Sequence, residues 1–391
     1  MTARVSRRLP LLCACTVGLL APGIVTGQTV AEVCGDSPAP APGLEAGSWL
    51  AWGAGDRDVI DVPSSVSDQI FGRLGDMLDL FRAVPGLQPP LGVELRPTSM
   101  VRSAARDGGS HGIIHSSLII QVFHPSVEVA GEASASIWVD VNSLTHLLYD
   151  AAGPVIEDET GPIFIEPVLV GNVAGHPLYQ TRITTCVAVL KAHAEPLWLP
   201  VSQERMLRAQ ITDLRGKAQE ADSALSEGLS EQQEADKEMQ EAIRRLRETD
   251  PAAAAKLERE LAAVKQEVAR NLEQTEGGFS KMNESTGKWI ADLEQQLAAM
   301  GPAERARQAY VTGGGSVLNM LADPSEAGAR ALVTPNPTYF DTEHDPTSFQ
   351  LLTVRMSNVA DHPPETTIIE SVRRGLDWDA LYGLLREETG R

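Results

Sequence analysis

Gly108-Gly109-Ser110-His111-Gly112 fits G-x-S-x-G, the spacing that sets a nucleophilic serine on a strained strand-to-helix turn with backbone donors behind it as an oxyanion hole. The flanks read differently. Residues 102–107 are polar and residues 113–120 are strand-like, so the expectation is a glycine-rich loop leading into a strand. An exported serine hydrolase using Ser110 is the alternative, with a histidine and an acid that the sequence does not assign.

His111 and His115 stand four apart, a spacing that pairs metal ligands on a helix but separates the rings along a strand. Asp341, Glu343, His344 and Asp345 begin like a calcium loop. Pro346 then stands where that loop needs glycine and Leu352 where it needs the bidentate glutamate, so a solvated acidic turn is expected. Gly53-Ala54-Gly55 is followed by Asp58 rather than a third glycine, and Gly313-Gly314-Gly315-Ser316 lacks the lysine of a phosphate loop. Asn283-Glu284-Ser285 matches a glycosylation acceptor inside a helical stretch. These readings leave no catalytic residue, no metal ligand and no cofactor expected.

The amino terminus carries an address instead. Arg4, Arg7 and Arg8 precede an uncharged apolar stretch from Leu9 to Val25, and Val25-Thr26-Gly27 closes it with small or branched residues. That order predicts a cleavable export signal over residues 1–27, cut before Gln28, and a periplasmic or extracellular destination. Cleavage removes Cys13 and Cys15, which leaves Cys34 and Cys186 as the one possible disulfide in an oxidising compartment. It also removes three arginines, so 33 bases become 30 against 53 acids and the net charge deepens from −20 to −23. A surface of that sign repels phosphate backbones and anionic head groups, which disfavours nucleic-acid and membrane-surface roles.

The elements behind these residues fall into recognisable stretches. Residues 28–47 form a Pro/Ala-rich linker. Ile70, Leu74, Met77 and Phe81 recur at helical steps between Pro63-Ser64 and Pro85-Gly86 and predict an amphipathic helix. Branched residues then dominate, and strands are expected over 93–96, 113–123, 135–141, 163–170 and 178–190, with a short helix over 143–149 and a hairpin tip over 157–161. Alternation along 178–190 suggests a half-buried antiparallel sheet.

At Ser202 the chain switches to Ala, Glu, Gln, Arg and Leu at helical spacing. Leu207, Ile211, Leu214, Ala218, Ala221 and Leu225 alternate steps of four and three, the seam of a coiled coil or helical hairpin. Gly228 with Ser230, Asp250-Pro251, Gly277-Gly278 and Gly301-Pro302 are expected to divide this arm into five helices. A strand over 349–356 and a helix over 376–385 follow, too little for a core of their own, so they are expected to complete the earlier sheet.

The fold class is therefore α+β, an antiparallel or mixed sheet with packed helices, interrupted by a long helical hairpin or coiled-coil insertion. Its parts are the signal (1–27), the linker (28–47), the first part of the α+β domain (48–201), the arm (202–322) and a return segment (323–391). The function expected of such a chain is an exported, non-enzymatic one, in which the arm mediates self-association or contact with another envelope protein and no membrane span remains after cleavage.

Overall fold

The structure, a computed structural model, describes residues 45–103, 113–123, 135–182, 185–312, 321–343, 345–357 and 363–386. The export signal, Cys34, Ser110, His111, His344 and residues 313–316 lie outside them.

In chain order the body begins with β1 (Ser48–Trp49), β2 (Arg57–Ile60), α1 (Ser64–Arg82), β3 (Glu94–Ser103), β4 (Ile114–Phe123) and β5 (Ala135–Val141). It continues with α2 (Thr145–Ala152), β6 (Ile156–Asp158), β7 (Gly161–Ile165), β8 (Val168–Val173), β9 (His176–Arg182), β10 (Thr185–Lys191) and β11 (Trp198–Pro200). The arm is α3 (Gln203–Thr249) and α4 (Pro251–Ala299), followed by the single turn α5 (Pro302–Arg305). The chain then forms β12 (Tyr310–Val311), β13 (Arg330–Pro335), β14 (Leu351–Ser357), α6 (Pro363–Gly375) and α7 (Trp378–Arg386).

The larger sheet runs β1-β3-β4-β5-β14-β10-β9-β8, with β2 beside β1 on the same edge of β3; apart from β1 and β2, neighbouring strands are antiparallel. The smaller runs β11-β13-β7-β6, with β12 also against β13. Strands that follow the arm thus sit inside both sheets: β14 between β5 and β10, and β13 between β7 and β11.

One face of the larger sheet carries the main core. Leu95 and Val101 of β3, Leu118 and Ile120 of β4, Ile137 and Val139 of β5, and Leu352 and Val354 of β14 point to the side where α1, α6 and α7 supply Leu74, Phe81, Ile368, Val372 and Leu381. These apolar positions fall two apart on the strands and three or four apart on the helices, as the two periods require. The opposite face is divided. Over β9, β10 and β14 it is covered by α2, whose Leu147 meets Val187, Val189 and Leu351. The neighbouring Leu148 meets Phe164 and Val333 of the smaller sheet, so α2 is a spacer between two sheets. Over β3 and β4 the same face is half-exposed, at Thr98, Met100, Ile119 and Gln121.

Several expectations need correction. The 163–170 stretch is two strands in different sheets, because Glu166-Pro167 turns the chain out of β7 and into β8. The 178–190 stretch is the β9–β10 hairpin. Its second strand is buried on both faces rather than half-buried, since helices cover one side and α2 the other. The arm is two long helices and one turn, not five pieces: Gly228, Gly277 and Gly278 lie within continuous helix. A helical glycine costs about 1 kcal/mol relative to alanine but keeps its N–H and C=O in the ladder, whereas proline removes a donor. Only Asp250-Pro251 reverses the chain.

Candidate functional site

The arm is the largest feature whose sequence has no duty inside the core. Its first helix starts on Ser202, whose hydroxyl accepts from the Arg205 amide at 3.2 Å. Met206 and Ala209 bury themselves against Ile163, Ile165 and Leu332 of the smaller sheet. Backbone bonds from Gln203 N to Arg307 O, 2.8 Å, and from Ala309 N to Val201 O, 2.7 Å, hold the two ends of the arm side by side. Arg305 donates to the carbonyls of Leu297 and Met300, which α4 leaves without helical partners at its end.

Among the described residues, α3 beyond Leu214 buries only Ile243, and α4 buries only Ala254. At about 1.5 Å per residue the free part of the hairpin is roughly 50 Å long. The two helices are stapled level by level. Arg215 pairs with Glu294, Asn283 donates to Asp222 at 2.6 Å, Lys265 reaches Asp236 at 3.1 Å, and Arg247 pairs with Glu258 near the turn. Asp250 closes the turn by accepting from the Ala253 amide at 3.0 Å. The glycosylation-like Asn283 is therefore engaged between the helices.

Of the predicted seam, Leu207, Ile211 and Leu214 are buried, and Ala218 and Ala221 are half-buried. Leu257, Leu261 and Val268 face inward from α4, as do Ile290, Leu293 and Leu297. Val264, between them in the sequence, turns outward at 54% exposure. It is joined by Met282 at 47%, Trp289 at 44% and, on α3, Met239 at 40%. Singly exposed apolar side chains are ordinary on a protein surface, and these four are the large apolar residues that the described part of the arm leaves most in water.

A second constellation lies where α2 meets the open half of the larger sheet. Asp140 of β5 is directly across from Ser117 of β4 and Thr353 of β14. All three are buried, and neither the Ser117 nor the Thr353 hydroxyl has a hydrogen-bond partner among the described residues. From α2, His146 brings Nε2 within 3.5 Å of Asp140 Oδ2, while Arg355 Nη1 lies 3.1 Å from His146 Nδ1. The Trp138 ring packs edge-on to His146 at 4.7 Å. A guanidinium can only donate, so a hydrogen bond across the Arg355–His146 contact has Nδ1 as its acceptor.

The residues singled out from the sequence are dispersed. His115 lies on β4 across from Arg102, as the strand reading required. Asp341 accepts from the Glu343 amide at 2.9 Å, and Asp345 accepts from the Thr347 amide and hydroxyl at 2.8 and 2.7 Å. Those Thr347 hydrogen bonds hold the Asp345 carboxyl below the usual carboxylate range. These are turn-making roles, and among the described residues no three His, Cys, Asp or Glu side chains gather as metal ligands. Beside this turn a cavity of about 750 Å³ is lined by His193, Glu195, Tyr339 and Asp341. Burial, with Glu195 and Tyr382 adding to it, raises the Tyr339 pKa and keeps the phenol protonated; its hydroxyl donates to the Gln350 carbonyl at 3.3 Å.

Cys186 sits on the core face of β10, 6% exposed, and is disulfide-bonded to a partner outside the described residues. No helix among the described residues is long and apolar enough to cross a membrane. Comparison with known protein families, with curated proteins and with solved structures yields no match for this chain.

Proposed function

We propose that the protein is an exported, non-enzymatic interaction protein, in which the α+β body is a base and the α3–α4 arm makes contact with a protein partner. The observation that carries this reading is the exposed apolar surface on a hairpin already closed by its own seam, at Met239, Val264, Met282 and Trp289. A spacer needs length alone; these four side chains leave apolar area in water that a protein contact removes. The acidic balance of the chain, −20 before any cleavage, weighs against a nucleic-acid partner.

The test keeps the root and removes the projection. Residues 216–293 are replaced by a short glycine-rich turn, leaving Arg215 and Glu294 at the shortened end. The shortened protein is expected to keep the cooperative unfolding of the body and to lose the proteins that co-purify with the full chain from its exporting cell. Identical partners for the two forms contradict the reading.

A further inference from the structure

We infer that Met239 and Met282 form an oxidation site, through which a hydroperoxide releases the arm from its protein partner. This deepens the proposal above and rests on it. The first observation is selective exposure. Among the described methionines, Met77 and Met356 are buried in the main core, Met206 is buried against the smaller sheet, and Met300 is buried where α4 ends. Met100 is half-buried on the open face of β3. Of the described methionines only Met239 on α3 and Met282 on α4 are exposed, so an oxidant in solution meets these two thioethers first.

The second observation is that helix formation does not call for methionine at either place. Glu, Gln and Lys form helices about as well, and Glu238, Gln240 and Lys281 stand exposed beside the two methionines. A long helical side chain leans over the turn that precedes it, which for Met282 is the turn of Gly278. Nothing else in the chain fills that place: a Cβ added at Gly278 meets no atom within 4 Å. The Met282 sulfur is therefore open to approach from that side.

The chemistry needs only a hydroperoxide such as hydrogen peroxide. The thioether sulfur gives two electrons to one peroxide oxygen; the S–O bond forms as the O–O bond breaks, and the proton of the transferred oxygen passes to the departing one, which leaves as water. A flexible apolar side chain becomes a polar sulfoxide. On the contact surface proposed above, two hydrogen-bond acceptors then stand where apolar area has to leave water. Burial keeps the same change out of the body, where a sulfoxide at Met77 or Met206 would open a packed core.

The mature chain is treated with hydrogen peroxide, freed of oxidant, mapped by peptide mass and then mixed with extract of the exporting cell. Met239 and Met282 are each expected to gain one oxygen while Met77, Met206, Met300 and Met356 remain thioethers, with no change in unfolding midpoint. The oxidised chain is expected to lose the proteins that the chain without residues 216–293 loses, and Met239→Leu with Met282→Leu to keep them after the same treatment. Oxidation of the buried methionines at an equal rate overturns the inference, and so does a Leu variant that peroxide still strips of its partners. Partners kept by the oxidised chain but lost by the shortened one sink the oxidation site alone; partners kept by both sink the arm reading itself.

Discussion

Arg205 forks onto Asp158, Nε to Oδ2 at 2.7 Å and Nη2 to Oδ1 at 3.0 Å, and so ties the root of the arm to the β6–β7 turn. The same guanidinium reaches the Gly161 carbonyl at 3.2 Å, while Asp158 also accepts from the Thr160 amide and hydroxyl. Two parallel N–H···O bonds fix direction as well as distance. The ion pair therefore sets where a long lever begins.

Removing the fork should loosen the root. Arg205→Ala is expected to lower stability by about 1 to 3 kcal/mol, and Arg205→Lys to recover only part of it, because an ammonium does not fork. Denaturant unfolding of the three proteins measures this; equal midpoints contradict it.

The same pair predicts an acid limb. Burial alone raises the Asp158 pKa, but hydrogen bonds from Arg205 and Thr160 outweigh it and hold the carboxyl below its usual value. A carboxylate depressed by folding contributes stability above its unfolded pKa, near ~3.9, and loses it as pH falls through the folded value. The stability gap between wild type and Asp158→Asn is thus expected to be constant from neutral pH to about 5 and to close under stronger acid. A gap that widens on acidification has the wrong sign.

For the disulfide, the predicted partner of Cys186 is Cys34. Peptide mapping without reduction should recover the two in one species, and Cys34→Ser should lower stability by about 2 to 5 kcal/mol. A Cys186 peptide recovered as a free thiol, or joined elsewhere, refutes the pairing.

Ser117 and Thr353 make a finer prediction. Each hydroxyl is buried beside Asp140 without a hydrogen-bond partner among the described residues, and buried polar groups of this kind usually hold ordered water. A high-resolution crystal structure is expected to show a water at each hydroxyl, shared with the Asp140 carboxylate. Empty density at both positions contradicts this.

Much of this architecture was legible in the chain because it rests on local period. Ile70, Leu74, Met77 and Phe81 gave α1 its buried face, and Ala135 to Val141 alternate as β5 does. The acids at 157–159 did mark a hairpin tip, although not a purely solvated one, since Arg205 claims Asp158. α6 was missed because the strand before it and the helix after it carried the clearer signals, yet Ile368 and Val372 are a helical pair on the core. The Ser117–Asp140–Thr353 row was not legible at all. It depends on the register of three strands drawn from both sides of the arm, which no spacing in the sequence records.

The arm shows the limit most clearly. Glycine weakens a helix without ending it, so Gly228 and Gly277-Gly278 read as breaks where the structure has none. The spacing of Leu207, Ile211, Leu214, Ala218 and Ala221 marks one apolar stripe, the seam. The second line emerges once the register of α3 on α4 shows which positions the seam uses.

Photo-crosslinking at Trp289 tests the central claim most directly. With a photoreactive residue at that position in cells exporting the protein, irradiation is expected to trap a discrete protein adduct that the same residue at Ala262 does not give. No adduct from position 289, or equal adducts from both positions, contradicts an arm built for contact.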